Sequence, residues 1–121
     1  MSDKKRLPLV YSCSGCSSAA QAANYIALKL AKEGHAEMSC VAGVGGRIPH
    51  LVKIAQSGRK VISIDGCSLL CSQHCLKNVE VTPEIEIDLR HFGVAKNEGG
   101  EFDRAEADEV YFQIVKKLSG L

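Results

Sequence analysis

Short apolar runs along this chain alternate with longer stretches whose apolar residues recur every three or four positions, which predicts strands interleaved with helices. Leu7 to Tyr11 is one such run, brief and apolar, as expected of a strand buried on both faces. After a small-residue loop, Ser18 and Gln21 form a capping-box signal for a helix reaching about Glu33. Its buried stripe is Ala19, Ala22, Ala23, Ile26 and Leu30, and Gly34 stops it. Ala36 to Val41 alternates as a second strand, with Cys40 near its end. Residues 42–46 (A-G-V-G-G) predict a tight loop, and 48–57 a short helix with Pro49 in its first turn and Ile48, Leu51, Val52 and Ala55 facing inward. The β-branched run from Lys60 to Ile64 predicts a central third strand. A third helix is expected to begin straight after Gly66 and end near Lys77. Beyond Pro83, Glu84 to Leu89 alternates strictly, which predicts a fourth strand with Glu84, Glu86 and Asp88 on a wet face. Residues 90–102 read as a polar loop without a motif. Asp103 and Glu106 then cap a final helix over 103–118, with Ala107, Val110, Ile114, Val115 and Leu118 along one side.

This order predicts an α/β fold: one three-layer domain over 1–121, with a four-stranded, mainly parallel sheet. Right-handed crossovers favour the flavodoxin-like strand order 2-1-3-4. Residues 1–6 are polar and expected to be disordered, 7–95 form the cysteine-bearing core, and 103–118 the last helix. The order makes strands 1 and 3 neighbours at a topological switch point, and ligands of such sheets bind beyond the strand C-termini there.

Composition narrows the function classes. Fifteen Lys and Arg balance fourteen Asp and Glu, so no global field marks a nucleic-acid or membrane partner. The first dozen residues lack the apolar core of about 7–15 residues that a secretory signal needs, and nothing reaches the roughly 18 of a membrane span. A soluble, cytoplasmic protein is therefore expected. Aromatics are 5% of the chain and Trp is absent, so base stacking has little to work with. Six cysteines in a reducing compartment read as metal-binding or redox-active rather than as a disulfide framework.

Those cysteines are patterned. Cys13 and Cys16 form a C-x-x-C pair just after the first apolar run, and Cys67, Cys71 and Cys75 recur every four residues after the third. On a helix starting at Gly66, these last three sulfurs would share one face, the first two near the amides of the helix N-terminus. The predicted strand order brings both groups to one end of the sheet. A tetrathiolate of Cys13, Cys16, Cys67 and Cys71 is the usual closed shell for Zn²⁺, with Zn–S near about 2.3 Å. Cys75 is an alternative ligand, and Cys40 is less favoured, reading more naturally as a small buried hydrophobe. The same shell accepts other soft metals or an iron–sulfur cluster. A thiol-dependent redox enzyme or sensor is the competing reading, with Cys75 or Cys40 cycling against Cys67 or Cys71.

Other residues have plainer readings. His74 falls three residues after Cys71 but is expected at the surface, as are His35, His50 and His91. Asp65 opens an Asp-Gly turn, with steering of a ligand by hydrogen bonding as an addition. Gly43, Gly45 and Gly46, with Arg47, serve tight turning in preference to an anion cradle, because the Lys-Ser/Thr ending and dinucleotide spacing are missing. A phosphatase-type loop needs an Arg, and residues 15–20 contain none. A thioredoxin-type reading leaves Cys67, Cys71 and Cys75 unexplained. No catalytic residue is identified, and no small-molecule or protein partner.

The segments Y-S-C-S-G-C-S-S-A-A-Q (11–21), M-S-C-V-A-G-V-G-G (38–46) and I-D-G-C-S-L-L-C-S-Q-H-C-L (64–76) together resemble the DGC-domain family, named for its Asp-Gly-Cys tripeptide, here Asp65-Gly66-Cys67. The resemblance spans roughly 7–95. Family members are small bacterial or archaeal proteins regarded as zinc-binding. The likeness implies a metal role for the matching Cys13, Cys16, Cys67, Cys71 and Cys75, with Cys40 in the middle motif, and implies no substrate. Ser68 departs from the proline common after the tripeptide.

Overall fold

Four parallel strands frame the computed structural model, which describes residues 7–119: β1 (Leu9–Ser12), β2 (Glu37–Met38), β3 (Val61–Asp65) and β4 (Ile85–Asp88). They pair in the order β2-β1-β3-β4, the predicted 2-1-3-4. Leu9 sits opposite Glu37 on one side and Val61 on the other, and Asp65 opposite Asp88. The expectation for residues 1–6 lies outside the described residues.

Alternation along the strands sends side chains to opposite faces. Val10, Ile62, Ile64 and Ile87 pack with the buried residues of α1 (Ser18–Lys32) and α5 (Arg104–Ser119). Leu9, Tyr11 and Val61 pack instead with Val44 of α2 (Val41–Gly45), Ala55 of α3 (Pro49–Ala55) and Leu76 of α4 (Cys71–Lys77). The result is the predicted three-layer arrangement, with two apolar layers separated by the sheet. All five residues of the predicted α1 stripe are buried, and Gly34 follows the helix at φ +83°.

Local details depart from expectation for identifiable reasons. The α1 cap is Ser17, whose Oγ accepts the Ala20 N–H at 3.1 Å, because Ser18 turns its own hydroxyl to the Ala95 carbonyl. Strand β2 is only Glu37–Met38, since the Cys40 sulfur accepts the Gly43 N–H at 3.3 Å and turns the chain into α2. Gly43 and Gly45, expected in a loop, are thus helical, Gly46 caps the helix end, and the small size of the first two permits close packing. A Cβ at 43 would stand 2.0 Å from Leu51 Cδ1, and one at 45 would stand 3.0 Å from Cys75 Sγ. Arg47 donates to the Asn78 carbonyl. Ile48 caps α3 and is half exposed rather than inward. On the fourth strand Asp88 is buried, held by Arg90, so Glu86 alone is its wet residue; Glu84 lies just before the strand and accepts the Val61 N–H.

The largest correction concerns the third predicted helix. It begins at Cys71, not after Gly66. Residues 66–70 form a turn in which the Leu70 N–H donates to the Cys67 carbonyl at 3.1 Å, and Leu70 sits in the left-handed region at φ +50°. Cys67 is therefore a loop residue, and only Cys71 and Cys75 share the helical spacing.

Candidate functional site

Beyond the C-terminal ends of β1 and β3, the two central strands, lies a cavity of about 160 Å³. Cys13, Cys16, Cys67 and Cys71 all line it, together with Lys96 and Glu98. The chain reaches this arrangement by simple means. Cys13 prolongs β1 by donating its N–H to the Ile64 carbonyl, and its sulfur accepts the Gly66 N–H at 3.3 Å. That bond ties the Cys-x-x-Cys loop to the Asp-Gly-Cys turn. The turn can approach so closely because residue 66 lacks a side chain: a Cβ there would stand 2.6 Å from the Ala19 carbonyl carbon.

Asp65 does more than open a turn. It is wholly buried, and its carboxylate accepts the Ser72 N–H and Ser72 hydroxyl, both at 2.8 Å, and the Gln73 N–H at 3.3 Å. Leu70 offers α4 no side-chain cap, so Asp65 satisfies the helix's orphan amides from the strand end. Cys71 is thereby fixed at the first position of α4.

The outer wall comes from the segment expected to carry no motif. Ser18 accepts the Asn97 N–H at 2.9 Å and donates to Ala95, Ser17 pairs with Glu98 as an antiparallel bridge, and the Gly99 N–H reaches the Cys16 carbonyl. This strap delivers Lys96 and Glu98 to the cavity. The Cys16 thiol faces Glu98 Oε2 at 3.7 Å, and Lys96 pairs with Glu98 at 3.2 Å. Glu98 first, and the Cys67 sulfur after it, hold the Lys96 ammonium above its ordinary pKa. Sequence reading missed both residues. Their only signal was one charge of each sign two positions apart in a glycine-containing loop.

The remaining thiols lie aside. Cys75 sits one turn beyond Cys71 and packs against Gly45; burial, then the neighbouring Cys71, raises its pKa. Cys40 caps α2 and is exposed rather than buried. Neither lines the cavity. All four histidines are exposed.

Burial pushes the Cys13 thiol up to about 11 from 9.0, outweighing the Gly66 N–H that favours its thiolate. In metal-free, reduced protein near pH 8, Cys13 should alkylate about a hundredfold more slowly than an ordinary thiol of pKa 9 on thiolate fraction alone. Its rate should keep rising tenfold per pH unit to about pH 11, as timed mass spectrometry of iodoacetamide-treated peptides would record. A plateau near pH 9 contradicts this.

The donor set has the softness a thiophilic ion requires, and the Gly66 amide and the Lys96 ammonium lie beside the Cys13 and Cys67 sulfurs. Among the described residues, however, no three Cys, His, Asp or Glu side chains stand as a group able to hold a metal ion. The sulfurs share a cavity without converging on a point.

Comparison with known proteins supplies the remaining findings. A family model described as the DGC domain matches residues 9–114. The chain is 44% identical over 113 residues to a protein of Pseudomonas aeruginosa named "Anaerobic and virulence modulator AnvM", a match covering 93% of this chain and 86% of the relative. No solved structure matches. Among the described residues no helix is long and apolar enough to cross a membrane.

Proposed function

Because the chain belongs to the DGC domain family, we propose that it is a cytoplasmic metal-binding protein whose Cys13, Cys16, Cys67 and Cys71 hold one Zn²⁺ or a related soft ion. The single observation behind this reading is that these four thiols, drawn from two segments more than fifty residues apart, line one cavity at the switch point of the sheet. A bound ion would act there as a Lewis-acidic cross-link, keeping the sulfurs as thiolates. The chain's own residues supply the rest. Gly66 donates to the Cys13 sulfur, Lys96 brings positive charge beside Cys67, and Asp65 holds Cys71 in place through α4. Completing a shell requires the exposed Cys16 and Cys71 and the half-buried Cys67 to turn toward the buried Cys13. The relative's printed name, a modulator, favours a regulatory role over a catalytic one, and the nearly balanced charge favours a protein or small-molecule partner over nucleic acid.

Native mass spectrometry with elemental analysis tests this on protein reduced and prepared with ample zinc. One ion per chain is expected. Replacing Cys13, Cys16, Cys67 or Cys71 singly by Ser should lower retention at least about tenfold, a loss of the size seen when a metal's supporting groups are removed. Replacing Cys40 or Cys75 should leave it unchanged. A well-folded, reduced protein that takes up no ion removes the proposal.

One observation favours a second reading, a thiol redox sensor: Cys67 has the Lys96 ammonium at its side, and Cys16 and Cys71 are exposed. That reading predicts a reversible disulfide among cavity thiols after mild peroxide, with the protein equally responsive when stripped of metal.

A further inference from the structure

The opposite pole of the sheet carries a second cavity, of about 540 Å³. It opens where Pro8 precedes β1, Lys60 precedes β3 and α5 ends at Ser119. Ile62 and Ile85 of the sheet and Val115 and Leu118 of α5 give it an apolar floor. Among the described residues its ionisable lining is Lys60 and His35, with no carboxylate.

We propose that this cavity binds a small amphipathic carboxylate, with its aliphatic tail on Ile62, Ile85, Val115 and Leu118 and its carboxylate at Lys60 and His35. The volume falls in the range of small-molecule sites, about 300–1,000 Å³, and an apolar lining with a few polar groups at one side is their usual make-up. Charge decides the ligand class. Among the described residues Lys60 and His35 make no ion pair, and His35 only leans on the Tyr111 ring at 6.4 Å. Two cations on those helices already have partners: Lys29 with Asp108, and Arg104 over the Tyr25 ring. Lys60 and His35 therefore face a cavity whose floor is hydrocarbon. A neutral ligand would leave Lys60 without a counter-charge, and a cationic one would be repelled. This site is independent of the thiol cavity and stands or falls without it.

The experiment is methyl NMR on the full chain, titrated with octanoate, decanoate and 1-octanol. Saturable shifts are expected at the methyls of Ile62, Ile85, Val115 and Leu118. Each methylene buried should tighten binding about fourfold at most, so decanoate should bind about tenfold tighter than octanoate. Octanoate should bind about fivefold tighter than octanol, the size of one partly exposed charge contact. Lys60→Gln, at an exposed position that leaves the fold intact, should erase the octanoate preference and leave octanol unchanged. Equal binding of octanol and octanoate to the unaltered chain overturns the proposal. So does an octanoate preference that survives Lys60→Gln, or an absence of shifts at those four residues.

Discussion

Asp65→Ala should lower the unfolding free energy by about 3 kcal/mol in urea titrations, with the denaturant slope unchanged. The carboxylate is fully buried and accepts three hydrogen bonds from the first turn of α4. Bonds to a charged group are each worth about 1.5–3 kcal/mol, and the orphaned Ser72 and Gln73 donors would add desolvation losses. Against this, the variant no longer buries a charge, which is why the expected loss is less than the sum of the bonds. Asp65→Asn retains one acceptor oxygen and should lose about half as much. The effect should reach the site as well, since α4 would no longer hold Cys71 in register and alkylation of that residue should change rate. A loss below about 1 kcal/mol for Asp65→Ala would mean that water replaces the carboxylate, and the role assigned to it would be wrong.

Gly66→Ala comes next in size, at about 2–3 kcal/mol, the upper part of the range for overpacking. The added methyl would meet the Ala19 carbonyl carbon at 2.6 Å, its oxygen at 2.7 Å and its Cβ at 2.9 Å. Two of those atoms are backbone, so Ala19→Gly in the same chain should rescue little. Gly58→Ala is the instructive control. Nothing lies within 4 Å of a Cβ there, but the residue sits at φ +87°, so its cost is conformational and about 1 kcal/mol. Thermal melts of the three variants separate crowding from backbone preference. Rescue of Gly66→Ala by Ala19→Gly would show that the side chain, not the helix backbone, sets the spacing.

The strand order was legible because buried parallel strands write themselves as plain apolar runs, and Leu9–Tyr11 and Val61–Ile64 did so. Helix starts were less so. A serine pair, Ser17 and Ser18, could cap α1 from either position, and the choice was made by Ala95 and Asn97, nearly eighty residues away. The delay of α4 to Cys71 had a similar origin, since its cap is a strand carboxylate seven residues back and outside any local capping pattern. At the site, the spacing of the thiols and the sheet order were enough to group Cys13, Cys16, Cys67 and Cys71. They could not reveal that Cys75 would turn toward Gly45, which depends on α2 being a helix rather than a loop. Lys96 and Glu98 were invisible because a strap held by backbone bonds leaves no apolar periodicity to read.

That strap also sets an order of events. The groups that meet at the thiol cavity include Cys16 and Glu98, which are 82 positions apart along the polymer. During synthesis the amino-terminal sulfurs leave the ribosome long before the carboxylate and ammonium that wall them in. A contact of such separation carries a large loop-closure cost and cannot form before both ends have been made. The nascent protein thus carries its amino-terminal cysteines without the strap through most of its production, and the charged wall beside them is a property only of the finished molecule.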